Sequence, residues 1–248
     1  MAVKRQWIVN RIAWHRYCPD NFLRKESPLQ IQSGWGGVAV AALIESDSQI
    51  FHEVLDETLA ALDGSGVQYV LMGGVAATAL GGHRYTHDID LFVKPVDADR
   101  VLQALDRSGF KTERTDPMWL YKGFKNNVMV DIIFKSAGHV YFDEEMFERS
   151  LIADFNGRKV RILSPEDLFV IKALVLNEHS LSLDEHCMRH LNDLLSIVRT
   201  RELNWDYLIR RARLGPKRVL SLLLYAQSLD LLVPNRVIKT LAQLLEIC

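Results

Sequence analysis

Val67–Pro95 has the sequence VQYVLMGGVAATALGGHRYTHDIDLFVKP, and the rest of the chain can be placed around it. An apolar run rich in β-forming residues ends at Gly73-Gly74, and a small-residue stretch of helical length follows. A second glycine pair breaks that stretch, and a second β-like run begins near Ile89. The order strand, short helix, strand predicts an α/β (α+β) fold with a mixed sheet flanked by helices.

Two carboxylates, Asp88 and Asp90, lie at the start of the second β-like run. Residues i and i+2 of a strand point to the same face, so both carboxylates project to one side. Like charges at this spacing raise each other's pKa unless a cation lies between them, and a hard divalent ion such as Mg²⁺ relieves the repulsion. The Gly73-Gly74 turn can offer backbone N–H groups to a phosphate. The combination indicates nucleotide chemistry, and the alternative is an acidic strand end that lies beside a glycine turn by chance.

The pattern G-G-x-A, followed after a short helix by R-x-T-x-D-I-D-L, resembles the nucleotidyltransferase signature of the DNA polymerase β superfamily. The resemblance implies that Gly73 and Gly74 hold the phosphates of an NTP, with Arg84 facing them from the linker. It also implies that Asp88 and Asp90 bind two Mg²⁺ ions, for which Mn²⁺ could substitute. The expected core is therefore a mixed-sheet nucleotidyltransferase domain.

A third acid, Asp131, lies within the β-branched run M-V-D-I-I-F of a predicted hairpin with strands at 118–124 and 128–134. An acid buried in such a run without a partner is costly. Asp131 therefore either faces solvent, as simple alternation predicts, or lies on a strand beside the one that carries Asp88 and Asp90. The resemblance implies the second arrangement, in which Asp131 binds metal or accepts the proton of the acceptor hydroxyl.

Lys172 is the only charged residue in the run L-F-V-I-K-A-L-V-L of a helix that we predict to start at Ser164-Pro165. Because this helix is apolar on all sides, we expect it to be largely buried. An ammonium group buried there would need a carboxylate or phosphate partner. A lysine at the edge of the helix would instead extend its ammonium group to solvent.

Asp193 lies on the next predicted helix, residues 183–198, one turn after Arg189. The two side chains could form an exposed ion pair. The segment R-H-L-N-D-L also resembles the tail motif of the AbiEii-type nucleotidyltransferase toxins. That resemblance implies that Lys172 and Asp193 complete the active site and that Lys172 contacts the nucleotide. Asn192 departs from the motif, which commonly has lysine there.

Length and composition favour an ordinary globular protein. The chain has 248 residues and a formal net charge of −1, so no overall positive charge indicates a nucleic-acid partner. The three cysteines, Cys18, Cys187 and Cys248, lack the spacing of a zinc site or a disulfide scaffold. No apolar run is long enough to cross a membrane, and we expect a cytoplasmic protein without a membrane partner.

We predict three segments along the chain. Residues 1–44 form a basic N-terminal extension with interleaved aromatic residues, which either binds nucleic acid or is a solvated extension, and 33–37 is a flexible connector. Residues 45–162 form the nucleotidyltransferase core. Residues 163–248 form a helical domain that carries a basic cluster at 210–218.

The expected reaction is transfer of an NMP from an NTP to an acceptor hydroxyl with release of pyrophosphate. One hypothesis is a toxin-like enzyme whose acceptor is an RNA such as tRNA, or a protein, and whose partner is an antitoxin. The two basic segments favour the RNA acceptor. A second hypothesis is a small-molecule nucleotidyltransferase of the antibiotic-modifying type. A third is a nucleotide-binding module without catalysis, which the presence of all three acids disfavours.

Overall fold

The computed structural model describes residues 36–82, 85–178 and 185–246. Side chains are described for 47–82, 85–176 and 188–245. Our predictions for residues 1–35 and for Arg84 therefore lie outside the described residues. From Asp47 onward, the described chain forms one compact unit.

Seven strands form one sheet with the order β3-β4-β5-β2-β1-β7-β6. The strands are β1 Tyr69–Leu71, β2 Asp88–Val93, β3 Lys111–Asp116, β4 Leu120–Lys125, β5 Val128–Ile133, β6 Leu151–Phe155 and β7 Arg158–Ile162. Strands β2 and β5 are parallel, as are β1 and β7, and the other neighbouring pairs are antiparallel. The predicted mixed sheet is confirmed.

The described ranges contain nine α-helices. They are α1 Gly36–Asp63, α2 Gly73–Ala79, α3 Ala98–Arg107, α4 Glu144–Arg149, α5 Pro165–Glu178, α6 Glu185–Thr200, α7 Trp205–Ala212, α8 Pro216–Ser228 and α9 Asn235–Glu246. Five of them follow the last strand, so the chain becomes helical after β7 as predicted. The division into a core and a helical domain at residue 162 remains a prediction.

The central strand β2 determines which side chains meet on the sheet. Its register places Asp90 directly beside Asp131 of β5, and Asp131 lies directly beside Lys122 of β4. Because paired residues project to the same side of a sheet, these three side chains share one face. Helix α3 packs on the other face, where a Cβ atom added at Gly123 would lie 3.1 Å from Leu105 Cδ1.

Helix α5 is the buried helix that its composition predicts. Every residue from Leu168 to Leu174 is at most 2% exposed. The first turn is capped by Ser164, whose Oγ accepts a hydrogen bond from the Asp167 backbone N–H at 3.1 Å. The apolar side chains of α5 belong to the same continuous core as those of the sheet, which fixes α5 beside the site.

Some elements differ from the sequence-based expectation, among them the short helix α4, Glu144–Arg149, which was not predicted. Strand β3, Lys111–Asp116, was not predicted, because its sequence KTERTD is polar and does not alternate. It is an edge strand that is held to β4 by backbone pairing, so it needs no apolar face. Helix α1 begins at Gly36, so the prediction of a flexible connector through Gly37 is wrong for these two residues. Glycine is tolerated at the start of a helix, and the helix-forming run VAVAALIE follows directly.

Candidate active site

Asp88 and Asp90 lie at the start of β2, where hydrogen bonds fix both residues. The Thr86 hydroxyl donates to Asp88 Oδ1 at 2.9 Å. The Asp90 carbonyl accepts from the Met72 backbone N–H at 2.9 Å, which joins β2 to the residue before the glycine turn. Asp90 is thus held next to Gly73 and Gly74, and Asp88 lies two residues before it on the same strand.

Position 73 needs a glycine for two reasons, the close approach of the Asp90 carboxylate and the backbone conformation. Its φ is +57°, in the region that favours glycine, and a Cβ atom there would lie 1.7 Å from Asp90 Oδ2. The next residue, Gly74, donates its backbone N–H to the Asp90 carboxylate. The turn therefore packs directly on the carboxylate, and any larger residue at 73 would displace Asp90.

Asp131 lies beside Asp90 and is paired with Lys122, a residue that the sequence analysis did not single out. The distance from Lys122 Nζ to Asp131 Oδ1 is 2.6 Å, and their side chains are 11% and 14% exposed. The prediction that the strand of Asp131 lies beside the strand of Asp88 and Asp90 is confirmed by the parallel register of β5 and β2. Its place on the same face as the acids follows from the register of β4 with β5, which the sequence alone does not give.

The electrostatics of the site reflect an excess of negative charge. Part of the Asp90 surface is accessible, yet burial is the main reason that its pKa lies well above the ordinary value. The charges of Asp88 and Asp131 raise that pKa further, whereas Lys172 and the Gly74 N–H oppose the rise. Burial also raises the pKa of Asp131, against the effect of Lys122. A bound cation would relieve this repulsion.

Lys172 and Asp193 form a buried ion pair. Lys172 Nζ lies 2.7 Å from Asp193 Oδ2, and the side chains are 3% and 4% exposed. Lys172 therefore does not extend to solvent, and the Asp193 carboxylate is buried rather than exposed. The amphipathic pattern of α6 places Asp193 against α5, where a buried lysine needs a carboxylate. Since Lys172 also lowers the pKa of Asp90, its charge acts on the site.

Helix α6 and the residue after it also contact the C-terminal end of α2, the helix that begins with Gly73 and Gly74. Ser196 Oγ donates to the Gly81 carbonyl at 3.2 Å, and Thr200 Oγ1 donates to the Leu80 carbonyl at 3.0 Å. The Arg201 guanidinium donates to the carbonyls of Leu80 and Ala79. These contacts supply acceptor carbonyls at the end of α2 with donors, so the glycine turn is supported from both ends.

A second ionic network, centred on the buried Asp167, lies away from the carboxylates of β2 and β5. Asp167 accepts hydrogen bonds from the Tyr207 hydroxyl at 2.7 Å and from Ser164 Oγ at 2.9 Å. Arg211 Nε lies 2.9 Å from its other oxygen, and Arg211 also donates to Asp143 at 2.7 Å. Helices α5 and α7 and the N-cap of α4 are joined by this network.

The basic cluster at 210–218 is largely engaged within the protein. Arg210 donates to Glu145, Arg211 contacts Asp143 and Asp167, and Arg218 donates to the Leu174 carbonyl. These contacts use three of the five basic side chains of the cluster, which also contains Arg213 and Lys217. The cluster therefore supports an RNA acceptor less than its sequence does.

The carboxylate oxygens of the site are donors of the kind that a divalent metal binds. Within the described ranges, no three His, Cys, Asp or Glu side chains are grouped closely enough to hold a metal ion by themselves. Mg²⁺ in nucleotide sites uses one or two carboxylates and takes its other oxygen ligands from phosphates and water. Asp88 and Asp90, with Asp131 adjacent, provide hard oxygen donors of this type, so the residues fit such an ion.

One protein family matches this chain over most of its length. The family is described as uncharacterised nucleotidyltransferase, and the match runs from residue 39 to residue 229, which includes every predicted site residue. The chain belongs to this family. The protein is thus a nucleotidyltransferase, as the glycine turn and the paired carboxylates predicted. No curated protein matches the chain significantly.

Several solved structures are similar to this nucleotidyltransferase. The antibiotic-resistance factor ANT(2'')-Ia is 17% identical, with 73% of this chain and 92% of that chain covered and a TM-score of 0.49. The lincomycin-bound lincosamide antibiotic adenylyltransferase LnuA is 21% identical, with 58% and 95% covered and a TM-score of 0.42. An antigenic nucleotidyltransferase-like protein from Paracoccidioides brasiliensis is 18% identical, with 79% and 93% covered and a TM-score of 0.46.

None of the helices in the described part of the chain has the length and apolar character needed to cross a membrane.

Proposed function

We propose that this nucleotidyltransferase moves an NMP from an NTP to an acceptor hydroxyl in a Mg²⁺-dependent reaction. The observation that carries the proposal is the placement of Asp88, Asp90 and Asp131 on neighbouring strands, with Asp90 directly against Gly73. The acceptor oxygen bonds to the α-phosphorus, the bond from that phosphorus to the bridging oxygen breaks, and pyrophosphate leaves. The hydroxyl proton passes to Asp131.

Asp88, Asp90 and Asp131 would hold the divalent metal, two Mg²⁺ ions in the full proposal with Mn²⁺ as a substitute. When bound, the metal neutralises phosphate charge and lowers the pKa of the acceptor hydroxyl. The carboxylates are fixed before any ligand binds, because Thr86, Gly74 and Lys122 hold one each. Such preorganisation avoids rearrangement during the reaction.

The nucleotide phosphates are proposed to contact the backbone of Gly73 and Gly74, the Lys172 ammonium and Arg84. In support, the charge of Lys172 acts on Asp90 although its ammonium is bonded to Asp193. Asp193 would therefore keep Lys172 charged and oriented in a buried setting. For Asp193, the resemblance to the AbiEii-type toxins implies only that it completes the active site together with Lys172.

The proposed acceptor is an RNA such as tRNA, or a protein, in a toxin-like reaction that an antitoxin partner would restrain. The small-molecule acceptor is the second candidate. It is favoured by the intramolecular contacts of Arg210, Arg211 and Arg218, which leave less positive charge for an RNA backbone.

Incubation with each labelled NTP and Mg²⁺ would test the proposal, with total RNA, protein extract and a panel of aminoglycosides and lincosamides as separate acceptors. We expect label in one acceptor class together with release of pyrophosphate. Asp131→Asn should bind Mg·NTP within a few fold of wild type but transfer nucleotide at least about 10²-fold more slowly. Tight NTP binding without transfer to any acceptor would instead establish a binding module.

A further inference from the structure

Lys122 lies at the edge of the carboxylate group and has no role in the proposed chemistry so far. It is in the middle of β4, where the sheet register places it between Asp131 of β5 and Glu113 of β3. Four side chains thus form one row across four strands, Glu113, Lys122, Asp131 and Asp90. The outer members of the row, Glu113 and Asp90, are acids. Lys122 is bonded to Asp131, which lies beside Asp90.

The contacts of Lys122 differ from those of an ordinary surface lysine. Lys122 is only 9% exposed. Its ammonium donates to Asp131 Oδ1 at 2.6 Å and lies 3.0 Å from Met129 Sδ. A buried ammonium loses hydration, and a single carboxylate and a thioether replace that hydration incompletely. Burying this ammonium therefore costs free energy. A gain in solubility does not explain the lysine, because its side chain is largely buried.

Lys125, three residues later on the same strand, shows the ordinary arrangement. It projects to the other face of the sheet, where it pairs with Glu57 and donates to the Ser108 carbonyl at 2.9 Å. Its ammonium also lies 5.0 Å from the centre of the Phe110 ring. These contacts join α1, β4 and the end of α3 and involve none of the site carboxylates. Lys125 is therefore a matched control for Lys122.

We propose that Lys122 is a positioning residue that fixes Asp131 through one oxygen and makes metal binding at the carboxylates depend on the nucleotide. The inference rests on the proposed function. The ammonium of Lys122 removes one unit of negative charge from a group of three acids, so the site without nucleotide attracts a divalent cation only weakly. An arriving triphosphate adds negative charge and restores the attraction. Lys122 thereby couples the two binding events and keeps Asp131 aligned for the proton.

Calorimetric measurement of Mn²⁺ binding, with and without a non-hydrolysable NTP analogue, tests this coupling. Lys122→Met should bind Mn²⁺ without nucleotide at least about 10-fold more tightly than wild type, because a neighbouring positive charge has been removed. The gain in Mn²⁺ affinity on adding the analogue should shrink accordingly. Nucleotide transfer should fall about 10-fold or more, because Asp131 loses its contact. Lys122→Arg, which keeps the charge, should retain the wild-type coupling.

The control and the contrary outcomes are distinct. Lys125→Met should leave Mn²⁺ affinity and its dependence on nucleotide at the wild-type level. Equal or weaker Mn²⁺ binding by Lys122→Met overturns the proposal, as would loss of the coupling in Lys122→Arg. If Lys122→Met does not fold, Lys122→Gln is measured under the same two conditions and judged by the same criterion. A wild-type protein that binds no Mn²⁺ even with the NTP analogue overturns the proposed function itself, and the role of Lys122 with it.

Discussion

Two clusters of charged side chains in the described part of the chain, one around Asp167 and one around Asp90, differ in how their negative charge is balanced. Around Asp167, Ser164 and Tyr207 donate hydrogen bonds and Arg211 supplies a positive charge. Around Asp90, two further carboxylates lie close enough to raise its pKa. Lys122, the lysine on the same face of the sheet, is bonded to Asp131 and not to Asp90.

This difference separates structure from function. The group around Asp167 joins α5 and α7, and the charge of Arg211 opposes the rise in the pKa of Asp167. In the group around Asp90, two neighbouring carboxylates raise the pKa of Asp90, and a bound cation would relieve that repulsion. We therefore expect substitutions in the first group to lower stability, and substitutions in the second group to lower activity without lowering stability.

The largest expected effect is on activity. Asp88→Asn combined with Asp90→Asn should lower nucleotide transfer by more than about 10³-fold, because the groups that would hold the metal are lost. The melting temperature should not fall, since the substitution removes repulsion. Asp99→Asn, which alters an exposed ion pair with Arg114, is the matched control and should transfer nucleotide normally. A melting temperature far below that of wild type in the double variant would show that these acids have a structural role.

The buried ion pair between Lys172 of α5 and Asp193 of α6 belongs to neither group. Substituting it tests how much the pair contributes to stability. Lys172→Met should lower the free energy of unfolding by about 3–5 kcal/mol, because Asp193 is left buried without its partner. The added change Asp193→Leu should recover most of this loss, since replacing both partners by apolar residues is often nearly neutral. Urea denaturation measures both. If Lys172→Met is as stable as wild type, the pair does not contribute in the way its burial indicates.

A smaller effect is expected in the group around Asp167. Tyr207→Phe removes the hydroxyl that donates to Asp167 and should lower the free energy of unfolding by about 1–3 kcal/mol. Nucleotide transfer at a temperature where the variant is folded should stay at the wild-type rate. Thermal denaturation and a transfer assay on the same sample check this. A drop in transfer without loss of stability would place Asp167 in the functional group.

The pH dependence of stability gives the smallest and most specific signal. The pKa of Asp90 in the folded protein lies well above its ordinary value of 3.8. The folded protein therefore holds this proton more tightly than the unfolded chain does. The resulting stability is fully present below pH 3.8 and is lost as the pH rises through the pKa of the folded state.

Without metal, wild-type protein should thus lose stability above about pH 4, and Asp90→Asn should lose less over the same range. Asp131 and Asp167 shift in the same direction, so the difference between the two proteins isolates Asp90. Melting temperatures measured from pH 4 to pH 8 in EDTA provide the comparison. Parallel curves would contradict a raised pKa for Asp90.

The parts of the site that follow from local sequence were predictable. Gly73, Gly74, Asp88 and Asp90 are close along the chain, so strand alternation and turn preference place them correctly. The position of Asp131 depends on β5 lying beside β2, which is a pairing between distant segments. Alternation alone left two possibilities, and the family resemblance selected the one that the structure has.

The parts that were missed depend on pairing across the fold. Lys122 was overlooked because a lysine in a strand ordinarily faces solvent, and only the register with Asp131 shows otherwise. Lys172 and Asp193 were both named from the family resemblance, but their direct ion pair was not predicted, because the two residues lie on different helices. Strand β3 has no apolar face, so no periodicity indicated it.

The central claim is that the carboxylates of β2 and β5 hold a divalent metal together with a nucleotide. Calorimetry of Mn²⁺ binding in the presence of a non-hydrolysable NTP analogue tests it without knowledge of the acceptor. Wild-type protein should bind Mn²⁺ at least about 10²-fold more tightly than the variant with Asp88→Asn and Asp90→Asn. Equal affinities in the two proteins would contradict the claim.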